Sequence, residues 1–389
     1  MLHKVQPREQ NGRDSFSRYR AQTRSAAIAS LSILEGKEID WIYCDFQDDY
    51  VVRLNTAEGV FYKFYQVKTK GKQNQNWTLN EITGINSRKK TENQELAKIK
   101  ESFIGKLLLH TIVFEDFCQA VIFQTNINHG DEVEKFFEDL KDNKFENKSI
   151  KIFLEKFNEI FKENLSENIE IDKIKYNLKK LYSETDVEYL KEKKDIFEPL
   201  VRAKIYEFSE IELNYNECKE IILKLLDLIE RKSSGIIKDI NEESVDELAG
   251  ICIRDLLEIL SITYEAYQIL LLNGDHTAIR SASIIQRTLS ESGANKDTIE
   301  YCSRCKSEWD LWLRNARHMH LEFDLQMIIS RIQDILNNAI QFGNYLKLSE
   351  LSSPIRKYFQ ELETEGNTFG LTQNLIVGGI FSELVKGKV

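Results

Sequence analysis

Two strand-like runs constrain this chain more than any other feature: residues 50–54 (Tyr-Val-Val-Arg-Leu) and residues 61–69 (Phe-Tyr-Lys-Phe-Tyr-Gln-Val-Lys-Thr), joined through a turn at Ala57-Glu58-Gly59. Short β-branched and aromatic runs on either side of a glycine read as a hairpin. Antiparallel pairing brings the start of the first strand, where Asp48 and Asp49 stand, beside the end of the second, which carries Gln66-Val67-Lys68. Side chains two apart on a strand share a face, so Gln66 and Lys68 are expected to look out together while Val67 looks into the core. These residue types suit one chemistry. Magnesium is a hard cation that takes oxygen ligands, usually one or two carboxylates with waters and substrate phosphate. Such an ion lowers the pKa of water and offsets charge at phosphorus, and an adjacent lysine orients the attacking oxygen.

A bare Gln/Glu-x-Lys says little, and the chain holds another in Glu192-Lys193-Lys194, within a charged, helix-like stretch. Taken singly, Asp48 and Asp49 read as a solvated turn and Lys68 as an edge-strand lysine that discourages aggregation. The upstream acid, the 17-residue step from Asp49 to Gln66 and the β-rich flanks together make the pattern of a PD-(D/E)xK nuclease site.

Further stretches extend the pattern. Tyr19-Arg20-Ala21-Gln22 leads into a helix over residues 26–34. Asp45-Phe46-Gln47 precedes the acid pair, Trp77 follows the lysine, and residues 120–126 (Ala-Val-Ile-Phe-Gln-Thr-Asn) form another strand. In this order, residues 16 to about 126 resemble the nuclease domain known as domain of unknown function 4297. That domain occurs as the double-stranded-DNA nuclease of cyclic-oligonucleotide (CBASS) anti-phage effectors and beside HerA-type ATPases. The resemblance implies a restriction-endonuclease-like α/β core and Mg²⁺-dependent DNA cleavage, with Mn²⁺ as a substitute. It carries over as Asp49 for the main metal ligand, Gln66 for the second acid position and Lys68 for the catalytic lysine, with the Val67 carbonyl as a further ligand. Gln22, Asp45 and Asp48 take supporting places. Two departures stand out: Gln66 is neutral where many nucleases carry an acid, and Asp45 is shorter than the Glu that relatives often carry upstream of the pair.

At 389 residues the chain exceeds one typical domain. Residues 1–24 are polar and basic, so no signal peptide is expected. No run of about eighteen apolar residues exists. Six scattered cysteines suit a reduced cytoplasm better than a disulfide framework. The net charge of −10 divides unevenly: residues 1–110 hold 18 Lys/Arg against 13 Asp/Glu, a net of +5, leaving 35 against 50 for the rest. Arg20, Arg24, Lys70, Lys72, Arg88, Lys89 and Lys90 gather around the expected site as candidate DNA contacts, since phosphate neutralisation supplies most affinity for nucleic acid.

The fold class expected is α+β: a restriction-endonuclease-like core over residues 1–130, a helical extension over 131–232, and a helical oligomerisation or partner-docking domain over 233–389. Residues 15–34 read as a helix stopped by Gly36, residues 39–46, 50–55, 60–69 and 119–125 as strands, and residues 92–110 as one helix. Residues 309–346 read as one long helix with a weak point at Gly343. Cys302-Ser303-Arg304-Cys305 is a lone CxxC, and a structural zinc site needs a second pair of ligands. Gly366, Gly370, Gly378 and Gly379 fit no phosphate-binding loop. The CBASS relatives fuse this nuclease to a SAVED sensor of alternating strands and helices, a pattern that residues 233–389 show little of. The resulting expectation is a Mg²⁺-dependent endonuclease of anti-phage defence, homo-oligomeric, cutting double-stranded DNA in complex with a HerA-type ATPase. Two alternatives stay open: a degenerate core that only grips DNA or an ATPase, told apart by metal-dependent cleavage, and a ligand-gated nuclease, told apart by binding of cyclic oligonucleotides.

Overall fold

Small side chains set how the first helix packs. In the computed structural model, which describes residues 10–71, 75–191, 196–209, 213–340, 346 and 348–387, helix α1 spans Gln10–Leu31 and buries Ser25, Ala26 and Ala27 almost completely. With no bulk at these positions the helix lies close on β1 (Ile39–Phe46), β2 (Asp48–Thr56) and β3 (Gly59–Lys68). A 3₁₀ turn, Ser32–Glu35, ends at Gly36, whose φ of 64° is the left-handed stop expected there.

β1, β2 and β3 form an antiparallel meander in which Tyr50 pairs with Tyr65 and Thr56 with Gly59. β4 (Cys118–Thr125) runs parallel to β3, with Gln66 opposite Phe123 and Lys68 opposite Thr125. A parallel neighbour needs a long crossover. It is supplied by α2 (Leu79–Thr83), α3 (Leu96–Lys100) and α4 (Phe103–Val113). The single helix expected over 92–110 is therefore broken: Ser102 caps α4 by accepting from the Gly105 N–H.

Two short strands escaped the sequence. β5 (Leu181–Glu184) pairs parallel to β4 after α5 (Asp131–Lys141), α6 (Lys148–Ile160) and α7 (Ile171–Lys179), inside a stretch expected to be helical. β6 (Gly250–Cys252) pairs antiparallel to β1 and follows α8 (Phe197–Ser209), α9 (Tyr215–Lys232) and α10 (Glu242–Ala249). The sheet order is β5-β4-β3-β2-β1-β6, so β2 and β3 sit at its centre. The fold is α+β. One compact unit lies within Met1–Val201 and Cys218–Ile253, the other within Arg202–Glu217 and Arg254–Val389.

The core of the first unit joins Val51, Phe64, Val121 and Phe123 of the sheet to Ile104, Leu107 and Leu108 of α4. The opposite face meets α1, so both faces are covered at the centre. Trp77 belongs to this core, edge-on to Phe103 and Phe123, with its indole N–H donating to Thr125 Oγ1 at 2.7 Å. His129 stacks between Phe123 and Phe137. Ser183 donates its hydroxyl to the Phe123 carbonyl, so His129 Nε2–H donates to Ser183 Oγ at 2.6 Å and Nδ1 stays bare and buried. A second proton on this ring would have no acceptor, and burial pushes its pKa down to about 4 from 6.5.

The second unit holds α11 (Ile253–Ile259), α12 (Tyr264–Leu272), α13 (Ala278–Ser290), α14 (Lys296–Met319), α15 (Glu322–Ala339), α16 (Leu348–Thr364) and α17 (Gln373–Gly387). The helix expected over 309–346 is two helices: His320 is extended (φ −124°, ψ 159°) and Leu321 opens α15. Gly343 lies outside the described residues. Cys302 and Cys305 are buried in α14, and burial pushes the Cys302 thiol up to about 12. Gly378 explains part of the glycine-rich tail: a Cβ there would overlap the Cys305 carbonyl and come within 2.9 Å of Trp309 Cβ. Among the described residues no helix is long and apolar enough to cross a membrane.

Gly378→Ala should destabilise the helical unit by at least ~2 kcal/mol through overpacking, read as an earlier urea transition. His129 tests the sign of a buried proton site. Its folded pKa lies below its unfolded one, so the unfolded chain binds the extra proton first. Its stabilising contribution is present above about pH 6.5 and is lost as pH falls toward about 4. His129→Gln, which keeps the donor to Ser183, should flatten that part of a stability-versus-pH curve by roughly 3 kcal/mol.

Candidate active site

Asp49 is the second residue of β2, and its carboxylate joins three elements. Oδ1 accepts from Gln22 Nε2 of α1 at 2.6 Å. Oδ2 accepts from the Val67 N–H at 2.6 Å and from Lys68 Nζ at 2.9 Å, both on β3. Of the residues expected from the sequence, Gln22, Val67 and Lys68 thus meet at the Asp49 carboxylate. Burial pushes the Asp49 carboxyl above the usual range, while the Lys68 charge and hydrogen bond pull it back. The charged form is held at a cost that a further cation would offset.

Gln66 departs from the expected outward orientation. It is buried, because helices cover both faces of the sheet here, and its Oε1 has no hydrogen-bond partner. A buried carbonyl oxygen without a donor costs roughly 1–3 kcal/mol. Gln66 follows Tyr65, the cross-strand partner of Tyr50, so it stands at the same end of the hairpin as Asp49, and a carboxylate with an orphaned amide oxygen offers the donor types of a hard cation. Among the described residues no three His, Cys, Asp or Glu side chains gather to hold a metal, so an ion here would rest on one carboxylate, an amide oxygen and backbone, completed by water. Mg²⁺ accepts such a set.

Asp48 points elsewhere. Its Oδ1 accepts from the Asp49 N–H at 2.9 Å, and its Oδ2 is hydrogen-bonded to His110 Nε2 of α4 at 3.0 Å. The His110 ring stacks on Phe64 with centroids 4.3 Å apart. This pair fixes the backbone at which Asp49 begins. Asp45 is the exposed penultimate residue of β1, with φ 48°. Partial desolvation and the Asp48 charge push its carboxyl up, while Lys68 draws it down.

The basic residues separate into two groups. Arg20, Arg24 and Lys70 line one cleft together with Asn126 and Lys191. Arg88, Lys89 and Lys90 do not line it. They occupy the turn after α2, where Lys89 pairs with Glu95 at 2.8 Å. Lys72 lies outside the described residues.

Comparison with known families gives the decisive observation: the family model "Cap4, dsDNA endonuclease domain" matches residues 10–233. The chain belongs to the Cap4 double-stranded-DNA endonuclease domain family. The matched span takes in α1, β1–β5 and every residue described above. Among solved structures, the chain is similar to the Acinetobacter baumannii Cap4 SAVED/CARF-domain containing receptor with the cyclic trinucleotide 3'3'3'-cAAA, at 12% identity and a TM-score of 0.37 over 61% of this chain and 43% of that one. A second structure of that receptor gives 11%, 0.37, 74% and 59%. The chain thus spans less than two thirds of the receptor's length. No curated protein matches.

Three residues around these side chains were missed in the sequence. His110 looked like one apolar-helix residue among others. Lys191 sits in a charge run that reads as solvated helix. Gln124 of β4 has its Oε1 bonded to Ser25 of α1, and its Nε2 donates to Glu184 Oε2 at 2.6 Å and Tyr189 Oη at 3.1 Å. Ser25 lies one helical turn beyond Gln22, so this network anchors the helix that holds Asp49. Only knowledge of the strand register brings these residues together.

His110→Leu leaves the Asp48 carboxylate, 5% exposed, without its side-chain partner. We expect a loss of about 1–3 kcal/mol by chemical denaturation, with a fall in cleavage rate larger than any change in DNA affinity.

Proposed function

We propose that this chain is a metal-dependent DNA endonuclease acting as an anti-phage effector, with its reaction centre at Asp49, Gln66 and Lys68. The observation that carries the reading is the largely buried Asp49 carboxylate with the Lys68 ammonium 2.9 Å away, together with the unpartnered Gln66 Oε1 at the same end of the hairpin. Family membership supports the same reading.

Asp49, Gln66 Oε1 and the Val67 carbonyl would hold Mg²⁺, with Mn²⁺ able to substitute. Bound there, the cation would lower the pKa of water and offset charge on the phosphate. The rest falls to the chain. Gln22 and the Val67 N–H fix the rotation of the Asp49 carboxylate, and Asp48 with His110 fixes its backbone. Lys68 Nζ has hydrogen atoms to spare beyond its bond to Asp49, so it orients the nucleophilic water or a non-bridging phosphate oxygen. Preorganised charge of this kind is worth ~10²–10³-fold per group in rate. Asp45 supports the rim, and Arg20, Arg24 and Lys70 carry the DNA backbone.

The wider reading is an effector acting on double-stranded DNA in the cytoplasm, assembled through its helical region and partnered by a HerA-type ATPase. Co-purification of the two proteins, and cleavage measured with and without the ATPase, test that assembly apart from the chemistry.

For the chemistry, wild-type protein should nick or linearise plasmid DNA with Mg²⁺ and not with EDTA. Asp49→Ala and Lys68→Gln should each lower the rate by at least ~10²-fold. The glutamine keeps a hydrogen-bond donor beside Asp49, so the melting temperature should barely change. Undiminished cutting by Asp49→Ala would place the reaction elsewhere.

A further inference from the structure

The cleft beside the reaction centre has the chemistry of an anion site. Arg20, Arg24, Lys70 and Lys191 line it with Ser17, Thr69 and Asn126, and no carboxylate is among its described lining residues. Its parts are fixed. Asn126 accepts from the Lys70 N–H and donates to the Lys70 carbonyl, both at 3.0 Å, which clamps the backbone just past β3. The Lys70 ammonium rests 4.2 Å from the centre of the Trp77 ring and pairs with Glu81 at 2.7 Å. Lys191 is held by Asp186 and Glu188, each at 2.6 Å. Arg24 is buried against the Phe197 ring. Arg20 is exposed and pairs with no carboxylate among the described residues.

Two magnitudes narrow the occupant. The cavity volume is about 90 Å³. At about 10–15 Å³ per water on that measure, there is room for a tetrahedral anion together with several waters. Three carboxylates behind Lys70 and Lys191 offset part of the charge, which suits one singly or doubly charged group rather than a polyanion. Position narrows it further. Ala21 of the lining directly precedes Gln22, and Thr69 directly follows Lys68, so the cleft shares α1 and the end of β3 with the reaction centre.

We propose that this cleft is a phosphate subsite, holding one phosphate of the DNA strand next to the one that is cut, with Lys191 a binding residue that nothing else assigns. The position next to the cut rests on the nuclease reading above; the anion chemistry does not. The phosphate is either an internal diester or a terminal 5′-phosphate, and both present the same oxygens to the same cations.

The test is equilibrium binding of duplex DNA to the full chain in EDTA across a salt series, so that no cleavage is required. Wild type is compared with Arg20→Ala, Lys191→Ala, Lys191→Arg and, as an outside control, Lys98→Ala. Removing one cation–phosphate pairing should lower the slope of log affinity against log salt by about 0.9. Arg20→Ala and Lys191→Ala should weaken binding several-fold at low salt and, when combined, should lower the slope no further than either does alone. Lys191→Arg should retain wild-type binding, and melting temperatures should stay unchanged. Closed circles and linear duplexes with 5′-phosphate or 5′-hydroxyl ends separate the sources. Equal weakening on circles and linear DNA assigns an internal diester, and weakening confined to 5′-phosphorylated ends assigns a terminal phosphate. Variants that bind with the slope and affinity of wild type, or a wild type that binds no duplex, overturn the subsite. Failure of wild type to cut with Mg²⁺ would instead count against the nuclease reading, and the binding result would stand by itself.

Discussion

A single buried carboxylate ties the site together. The two oxygens of Asp49 accept from α1, from the β3 backbone and from the β3 lysine, so helix, central strand and catalytic candidate converge on one group. Taking a carboxylate out of water is expensive unless it is paired and hydrogen-bonded. Here the compensation is incomplete: burial outweighs Lys68, and the carboxyl pKa stays raised. The Gln66 oxygen, on the adjacent strand at the same end of the hairpin, is a buried acceptor with no partner. A carboxylate held charged at a cost and an orphaned amide oxygen on the adjacent strand are poor design for a core and suit a cation site.

The rest of the first unit can be seen as the support of that arrangement. β2 and β3 lie at the centre of a six-stranded sheet, so their ends are held laterally by β1 and β4 and covered by α1 and α4. Polar contacts then set the fine position. His110 reaches Asp48 from α4, and Gln124 reaches Ser25 of α1 from β4. Both act on the residues around Asp49 rather than on any reacting atom. Side chains locked in this way keep a site within the tolerance that chemistry needs.

Much of this was legible in the sequence where the signal is local. The hairpin declared itself by its aromatic and β-branched runs and by Gly59, and Gly36 marked the end of the first helix. Asp49, Gln66 and Lys68 followed from the hairpin register, and that register is what the structure has. The signal failed where structure depends on partners far along the chain. β5 and β6, of four and three residues, are too short to show alternation and exist only because β4 and β1 offer open edges. Burial of Gln66 could not be read either, since period-two reasoning assumes one solvated face and this sheet has none at its centre. The break at His320–Leu321 carries no Gly or Pro, and the reason for Gly378 appears only once α17 is seen to touch α14.

The most direct measurement of the central claim is the location of a bound ion. A crystal of the full chain soaked in Mn²⁺, examined by anomalous scattering, should show a metal within coordination distance of an Asp49 carboxylate oxygen and Gln66 Oε1. Lys68 should stay close enough to touch the metal's waters. An ion bound elsewhere, or no ion with the Gln66 oxygen satisfied by an ordered water, would contradict the account.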